Sequence, residues 1–324
     1  MKSLHTILFS LLVLSLLTSC GGDDTTTSSG ASGGSRSTAN NTNANKTGIA
    51  ELDSRLEVPH ITDTKNNTHL IRRVATYGVN YIIEWDNQKR SQRWAAFQMY
   101  NGNSGSNWNR NKWASSGNYW SAYNHNVLGY SSWDPFQPDP DLPEGIRTEL
   151  EEYRDDNNYQ RGHIVASADR LNSKEANEQT YYLSNIMPQT GACNTGTWLT
   201  MENQLRNWNN QDKSNSMRIA RETLYVVKGG TIDNGQTNGF TRTGLLVPKY
   251  FFMAFLAVNK DTYNALAFIV EHANPNKSGT SLKNYAFTID QLEQLTGIDF
   301  FCNLPDDVEN ETEKTIDLSF WKLN

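Results

Sequence analysis

The chain has 324 residues and a formal charge of −6, with 35 acidic residues against 29 Lys and Arg, and it contains 3 cysteines. That length is enough for one large domain or two modest ones with a sizeable core. So few cysteines exclude a disulfide scaffold, since such chains are short and cysteine-dense. The acidic balance argues mildly against a protein held on nucleic acid by bulk charge. The hydrophobic content of 37% is low and indicates that part of the chain is not packed.

Residues 1–19 are predicted to be an export signal, because Lys2 is followed by an apolar run at residues 7–17. The run is too short to cross a bilayer as a helix, which needs roughly 17–25 residues. The small residues Thr18 and Ser19 directly precede Cys20, an arrangement that resembles a bacterial lipoprotein signal. The resemblance implies that Cys20 carries the lipid of an exported protein anchored to the bacterial cell envelope. The alternative is an ordinary signal peptide in which Cys20 has no role.

A flexible tether is predicted for residues 20–47, which are mostly Gly, Ser, Thr, Asn and Asp and cannot bury enough surface to fold. A single domain is predicted for residues 48–324, with its core in residues 77–302. Cys193 and Cys302 lie within it, and export would permit a disulfide between them. Two buried free thiols are the equally weighted alternative.

The predicted elements begin with a β-hairpin at residues 79–85 and 93–100, joined by the turn at Asp86 and Asn87. A polar stretch rich in Trp and Tyr follows, predicted to be a long surface excursion. The helical spacing at residues 195–209 and the short run at 289–296, which Gly297 ends, predict two helices. Further strands are predicted at residues 161–167, 180–186, 224–227, 249–258 and 265–270. Strands and helices without βαβ alternation indicate an α+β domain, with a mixed or antiparallel central sheet and flanking helices.

One window between residues 159 and 206 carries the residue types that phosphodiester hydrolysis needs. His163 can take a proton from water near neutral pH, and the side-chain oxygen of Asn194 suits Mg²⁺. Glu202 lies eight residues after Asn194, where it could hold a metal-bound water, and Arg206 follows one helical turn later. Arg161 shares a strand face with His163 and could bind a phosphate. Taken singly, these residues would more often be a structural histidine, a helix cap and a surface ion pair.

This window resembles the DNA/RNA non-specific endonuclease family, the ββα-metal (His-Me finger) nucleases of the Serratia type, in its lipoprotein members. Ordered matches from about Tyr77 to the C-terminus carry the resemblance: Arg161-Gly162-His163, Asn194-Thr195-Gly196-Thr197-Trp198, Trp133-Asp134-Pro135-Phe136, Tyr225-Val226-Val227-Lys228-Gly229-Gly230 and Leu295-Thr296-Gly297-Ile298-Asp299. The resemblance implies a ββα-metal active site and an enzyme that cuts DNA and RNA to 5′-phosphate ends.

Roles for individual residues follow from the same resemblance. His163 matches the general base, Asn194 the ligand of Mg²⁺ (or Mn²⁺), and Glu202 the acid that hydrogen-bonds water on the metal. Arg161 and Arg206 match arginines of the phosphate site. A supporting role is implied for Asn185. Arg170 and Arg218 are further candidates for a local basic cluster.

The sequence also departs from the family pattern. Gln160 stands where the family usually has Asp, so a supporting hydrogen bond is retained but a charge is lost. Thr195 stands where a basic residue is usual. No motif identifies the upstream catalytic arginine, for which only Arg147 and Arg154 are candidates, by their proximity in sequence.

Two rival functions remain open at this stage. A catalytically weak or inactive surface lipoprotein could bind nucleic acid or glycan through the Trp- and Tyr-rich excursion, which includes Trp108, Trp113, Tyr119, Trp120 and Tyr123. A secreted nuclease toxin with an immunity partner is disfavoured by the lipid anchor. No obligate protein partner is evident from the sequence.

Overall fold

The computed structural model describes residues 40–63, 65–114, 134–156, 158–233, 235–275 and 281–324. Residues 39–324 form one compact unit. The predicted signal, Cys20, most of the predicted tether, and Tyr119, Trp120 and Tyr123 lie outside the described residues. Within the described part, no helix is both long and apolar enough to cross a membrane.

The described strands are β1 (Asn67–Val74), β2 (Gly78–Asp86), β3 (Ser91–Tyr100), β4 (Gln160–His163), β5 (Ile186–Gln189), β6 (Thr223–Gly230), β7 (Thr237–Phe240), β8 (Leu246–Pro248), β9 (Tyr250–Asn259), β10 (Thr262–Glu271) and β11 (Ala286–Phe287). The α-helices are α1 (Ala50–Ser54), α2 (Leu150–Arg154), α3 (Lys174–Gln179), α4 (Leu199–Trp208), α5 (Ile289–Thr296) and α6 (Asp306–Glu313). A 7-stranded antiparallel sheet has the order β1-β2-β3-β6-β9-β10-β11, while β4-β5 and β7-β8 form separate hairpins. This arrangement confirms the predicted α+β class with an antiparallel central sheet.

Both faces of the central sheet are buried, because successive side chains of each strand enter different cores. On β2, Tyr81 and Ile83 belong to one core and Ile82 to the other. The first core contains the apolar side of α4, including Trp208, and residues of the β4-β5 hairpin. The second contains Leu292 of α5 and the segment that follows it. Sheet and helices therefore form three layers, and α4 and α5 lie on opposite sides of the sheet.

The hairpin predicted at residues 79–85 and 93–100 is confirmed as β2-β3, and the predicted helix at 289–296 coincides with α5. Thr288 caps the start of α5, and Gly297 ends it with a φ of 72°, a conformation that glycine adopts without strain. β1 was not predicted, because polar and basic residues make up much of its sequence, in contrast to the apolar and aromatic run of β2.

Three predicted elements have different bounds in the structure. The strand predicted at residues 161–167 is shorter, because β4 ends at His163. The strand predicted at residues 180–186 is wrong, because the side chain of Asn185 bonds to the backbone of Val165 and Thr180 and closes a turn there. β5 begins only at Ile186. The helix predicted from residue 195 begins as a wide turn over Cys193–Trp198, where Gly196 is non-helical, and α4 proper starts at Leu199.

Residues 41–47, which composition assigned to the tether, contact the C-terminal segment of the domain. The Asn41 side chain donates to the carbonyl of Leu304 over 2.5 Å. The amide of Asn45 donates to the carbonyl of Pro59 over 3.1 Å, and its oxygen accepts from the backbone N–H of Ile61 over 2.9 Å. Composition misplaced this boundary because asparagines there make specific hydrogen bonds instead of remaining hydrated.

The two domain cysteines are buried free thiols, so the disulfide that the sequence allowed is absent. Cys193 belongs to the core on the α4 side of the sheet. The thiol of Cys302 lies 3.6 Å from the carbonyl of Val58, a residue of the opposite core. The central sheet lies between the two sulfur atoms, so they cannot approach to the bonding distance of a disulfide.

We predict that two thiols are titrated in denatured, unreduced protein in which Cys20 has been replaced by serine. In native protein the same thiols are expected to react slowly, because both are enclosed and burial raises the pKa of Cys193 to about 12. A thiol-reactive chromophore measures both the number and the rate. Recovery of no thiol after denaturation without reductant would contradict the structure.

Candidate active site

The β4-β5 hairpin lies directly before α4 in the chain, and together they form a β-β-α unit on one face of the central sheet. Gln160 pairs with Gln189 and His163 with Ile186 across the hairpin. Gly162 is required between them, since a Cβ on this residue would lie only 2.3 Å from the side chain of Gln189. The indole N–H of Trp198 donates to the carbonyl of His163 over 3.1 Å and joins the hairpin to the start of α4.

His163 is half-buried, and its imidazole lies against two aromatic rings. The ring centroids of Phe136 and Tyr181 are each 5.2 Å from that of His163. Its Nε2 is enclosed and has no hydrogen-bond partner among the described residues. Burial, assisted by the positive charges of Arg110, Arg161 and Lys228, lowers the pKa of His163 well below its usual range. The imidazole is therefore neutral at pH 7, with a nitrogen available to accept a proton.

Arg161 precedes His163 on β4, and its guanidinium is held from two sides. Nη1 donates to a carboxylate oxygen of Asp134 over 2.7 Å, and the Cζ atom lies 4.1 Å above the centre of the Phe136 ring. The side chain keeps 33% of its surface exposed. The arginine is thus oriented by the protein while part of its donor fork remains open to a ligand.

Asn194 lies in the wide turn before α4 and is positioned by Gln160. Its side-chain nitrogen donates to the Gln160 carbonyl oxygen over 2.9 Å, and its backbone N–H donates to Thr190 over 2.9 Å. With its nitrogen engaged, the side-chain oxygen has no hydrogen bond within the described part of the chain. Gln160 thus contacts Asn194 and not Arg161, which gives a physical role to the position that departs from the family pattern.

Four charged side chains, two of them on α4, form a largely buried network between this helix and the central sheet. Lys228, on β6, has no exposed surface, and its Nζ lies 3.1 Å from a carboxylate oxygen of Asp169 and 3.7 Å from one of Glu202. Arg206 donates to the other oxygen of Asp169 over 2.8 Å and lies 3.9 Å from Glu202. The sequence predicted that Glu202 and Arg206 share one face of a helix. The structure shows that Asp169 lies closer to Arg206 than Glu202 does.

The pKa values of the two carboxyl groups in this network are shifted in opposite directions. Burial raises the pKa of Glu202, against the lowering effect of Lys228. Asp169 is also desolvated, but the charges of Lys228 and Arg206 and their hydrogen bonds hold its pKa below the usual value. Asp169 is therefore the permanently charged member, whereas Glu202 titrates closer to neutrality.

The donor set here fits a hydrated hard cation. Asn194 offers a neutral oxygen without a protein partner, and Glu202 offers a carboxylate eight residues later on the same helical segment. A single protein ligand leaves Mg²⁺ mostly hydrated, which this ion prefers. The carboxylate of Glu202, 7% exposed, faces buried cations and is suited to a water on the ion more than to direct contact.

The structure shows how Asn185 can act in the supporting role predicted for it. The residue is fully buried and donates to the carbonyls of Val165 and Thr180, so it supports the turn after β4. Arg170 was a candidate for the local basic cluster, but it is buried and lies over the ring of Phe97. Arg218 donates to a backbone carbonyl at Asn210, outside the network.

Both upstream arginine candidates pair with neighbouring acidic residues, whereas a third arginine, Arg110, acts on the site through its charge. Arg147 pairs with Glu149 over 2.6 Å, and Arg154 with Asp155 over 2.9 Å. Arg110 is exposed, and its charge acts on the pKa values of both His163 and Glu202. The sequence missed it because it stands in a polar stretch with no motif around it.

Asp169 and Lys228 were also missed as members of the site, although Asp169 lies in the window between residues 159 and 206 and Lys228 in one of the matching motifs. A lysine among apolar residues of a central strand is the signal that could have found Lys228, since Val226 and Lys228 must share a face.

The aromatic excursion is divided between core and surface. Trp113 is buried, and its indole N–H donates to Asn177 over 2.6 Å, so it anchors the segment. Trp108 is half-buried beside it, with ring centroids 5.2 Å apart, and the Nζ of Lys112 lies 5.5 Å from the Trp108 ring. A cavity of about 170 Å³ beside Asp169 and Arg206 shares the lining residues Ser106 and Leu171 with a wider groove at residues 106–112.

Comparison with known proteins agrees with this geometry. The sequence profile of DNA/RNA non-specific endonucleases matches residues 60–307. A nuclease of Nostoc sp. is 27% identical over 245 residues, covering 73% of this chain and 76% of that protein. The mitochondrial nuclease of Saccharomyces cerevisiae is 32% identical over 181 residues, or 52% of this chain, and the chain spans about half of that protein's length, 54%.

Among solved structures, the EndoG/EndoGI complex contains a chain that superposes with a TM-score of 0.56 at 17% identity, covering 78% of this chain and 91% of that one. At that identity the likeness shows the fold alone. The profile match over most of the chain shows the family. This chain belongs to the DNA/RNA non-specific endonuclease family.

Proposed function

We propose that the protein is a Mg²⁺-dependent endonuclease that hydrolyses phosphodiester bonds in DNA and RNA. The observation that carries this proposal is that one β-β-α unit holds two atoms that have lone pairs and no hydrogen-bond partner among the described residues. These are the enclosed Nε2 of a neutral His163 and the side-chain oxygen of Asn194, oriented through its own nitrogen. Family membership supports nuclease activity, and this geometry supports the individual roles.

His163 acts as the general base that removes a proton from the attacking water. Its lowered pKa keeps the imidazole unprotonated throughout the neutral range, and its aromatic neighbours fix the ring orientation. Arg161 binds a non-bridging phosphate oxygen with the part of its fork that Asp134 leaves free. Arg206, 25% exposed and anchored by Asp169, adds a second positive charge at the phosphate.

Asn194 is the residue that would hold the ion, and Glu202 would orient water around it. The ion would supply positive charge at the phosphate and the leaving 3′ oxygen, so that products carry 5′-phosphate. Mn²⁺ has the same preference for oxygen ligands and is expected to substitute. Contacts to phosphate alone do not read base edges or the 2′-hydroxyl, which accounts for activity on both DNA and RNA.

Export and lipid attachment remain our proposal for the location of the enzyme. Its support is the sequence around Cys20, where an apolar run and two small residues precede the cysteine. The enzyme would then act on nucleic acid at the cell envelope.

The first test is cleavage of supercoiled plasmid and of single-stranded RNA with Mg²⁺ or EDTA. His163→Ala is expected to lower the rate by about 10²–10⁴-fold, because it removes the general base. His60→Ala is the matched control, since His60 lies in the segment that packs on the opposite face of the sheet. Cleavage independent of Mg²⁺, or equal cleavage by His163→Ala, would refute the proposed mechanism, whereas absence of cleavage by the wild type would favour a nucleic-acid-binding lipoprotein.

Lys228→Met tests the role of the buried network through the pH profile of kcat/KM. Ionised Glu202 is the active form, so activity falls as pH decreases through its pKa. Removing the lysine removes the cation that lowers that pKa, and the acidic limb is expected to move upward by about one pH unit or more. The variant is also expected to lose about 3 kcal/mol of stability, so the assay is run below its melting temperature. An unchanged acidic limb in folded Lys228→Met would contradict this role.

Cys20→Ala tests the anchor. The variant is expected to move from the membrane pellet to the soluble fraction, because one acyl-bearing residue supplies the attachment. Fractionation followed by immunoblotting measures the distribution, with Cys193→Ala as the control. Retention of Cys20→Ala in the pellet would count against lipid attachment at this residue.

A further inference from the structure

On the face of the sheet opposite the active site, α5 and α6 bring three acidic side chains together. Carboxylate oxygens of Asp290, Glu293 and Glu313 lie within 4.8 Å of one another. Within the described residues, this is the one group of three His, Cys, Asp or Glu side chains close enough to hold a common ion. The first two residues are on α5 and the third is the last residue of α6.

Glu313 provides a second and independent observation. Its side chain is 5% exposed, and its Oε1 atom is enclosed without a hydrogen-bond partner. No described Lys, Arg or His forms an ion pair with it, and the ion pair at this end of α6 instead joins Lys314 to the exposed Glu311 at 3.9 Å. A buried carboxylate without a donor or a cation is costly, because desolvation is not repaid by any contact.

The surroundings add negative charge instead of removing it. The carboxyl groups of Asp299 and Glu309 lie nearby and share one donor, the side-chain amide of Asn43, at 3.1 and 2.9 Å. Glu293 uses one oxygen to accept from the backbone N–H of Phe300 over 2.8 Å, which leaves its second oxygen for another ligand.

We propose that Asp290, Glu293 and Glu313 bind a hard divalent cation of the Ca²⁺ type, which fastens α6 to α5. Ca²⁺ takes 6–8 oxygen ligands, and carboxylates can bind it through one or both oxygens while water completes the shell. Two positive charges would offset most of the charge of three carboxylates. The site is structural, because the central sheet separates it from His163 and its neighbours.

The competing explanation is that these groups hold protons. Burial and mutual repulsion raise the pKa of Glu293 to about 8 and that of Glu313 to about 10, so neutral carboxyl groups would also relieve the repulsion. The two explanations differ in one measurable respect, which is the response of stability to Ca²⁺.

The experiment uses the full chain after treatment with EGTA and dialysis, with Mg²⁺ present to occupy the active site. Calorimetric titration with CaCl₂ measures binding, and scanning calorimetry measures Tm with and without Ca²⁺. Saturating Ca²⁺, at about 100 times its Kd, is expected to raise the wild-type Tm by about 5 °C. Glu313→Gln should weaken Ca²⁺ binding by about tenfold or more and remove the rise. Glu311→Gln, an exposed residue on the same helix, should behave as wild type.

A wild-type Tm that does not respond to Ca²⁺ would overturn the proposal and favour shared protons. An equal response of wild type and Glu313→Gln would overturn it as well, because binding would then lie elsewhere. If Glu313→Gln fails to fold, Asp290→Asn at the half-buried start of α5 replaces it, with the same expectation. Mg²⁺-dependent plasmid cleavage is expected to be unchanged in these variants, so failure of this site and failure of the proposed nuclease activity are distinguishable.

Discussion

The charge of Lys228 is the constraint on which the active-site face depends. Its strand, β6, is flanked by β3 and β9 in the central sheet, and its ammonium group is fully enclosed. Such a charge is tolerated only when it is paired, and Asp169 and Glu202 are the groups that pair with it. Because those carboxylates also contact Arg206, one buried cation helps to position an arginine that it does not touch. The ion pairs thus connect the sheet, α4 and the segment after β4.

The local backbone carries the other half of the arrangement. Gly162 leaves room on β4 for the side chain of Gln189 on β5. Three hydrogen bonds of the Asn185 side chain hold the turn that follows β4. These contacts determine where β4 stops and therefore where the imidazole of His163 is placed. The wide turn at Gly196 similarly delays the start of α4 and leaves Asn194 outside the regular helix. Residues without any chemical role thus set the position of those that have one.

Much of the fold and part of the site could be predicted from the sequence, for identifiable reasons. Apolar and aromatic runs on either side of a turn signal marked β2 and β3, and a short run ended by Gly297 marked α5. The Arg161-Gly162-His163 motif located the hairpin that holds His163. Arg110 and Asp169 escaped prediction because only the folded chain brings Asp169 to Arg206 and Lys228, and the charge of Arg110 within range of His163 and Glu202. The end of the tether was misjudged for a similar reason: composition counts asparagines as hydrated, whereas Asn41 and Asn45 bond to distant backbone.

The contacts of residues 41–47 have a geometric consequence for an enzyme held at a surface. The chain enters the domain beside Leu304 and Pro59, on the side of the sheet that carries α5. The β-β-α unit lies on the other side. A pull transmitted through the entering segment would therefore load the layer that carries α5 before the layer that carries the β-β-α unit. The contacts of Asn41 and Asn45 would bear that load first, at a distance from His163.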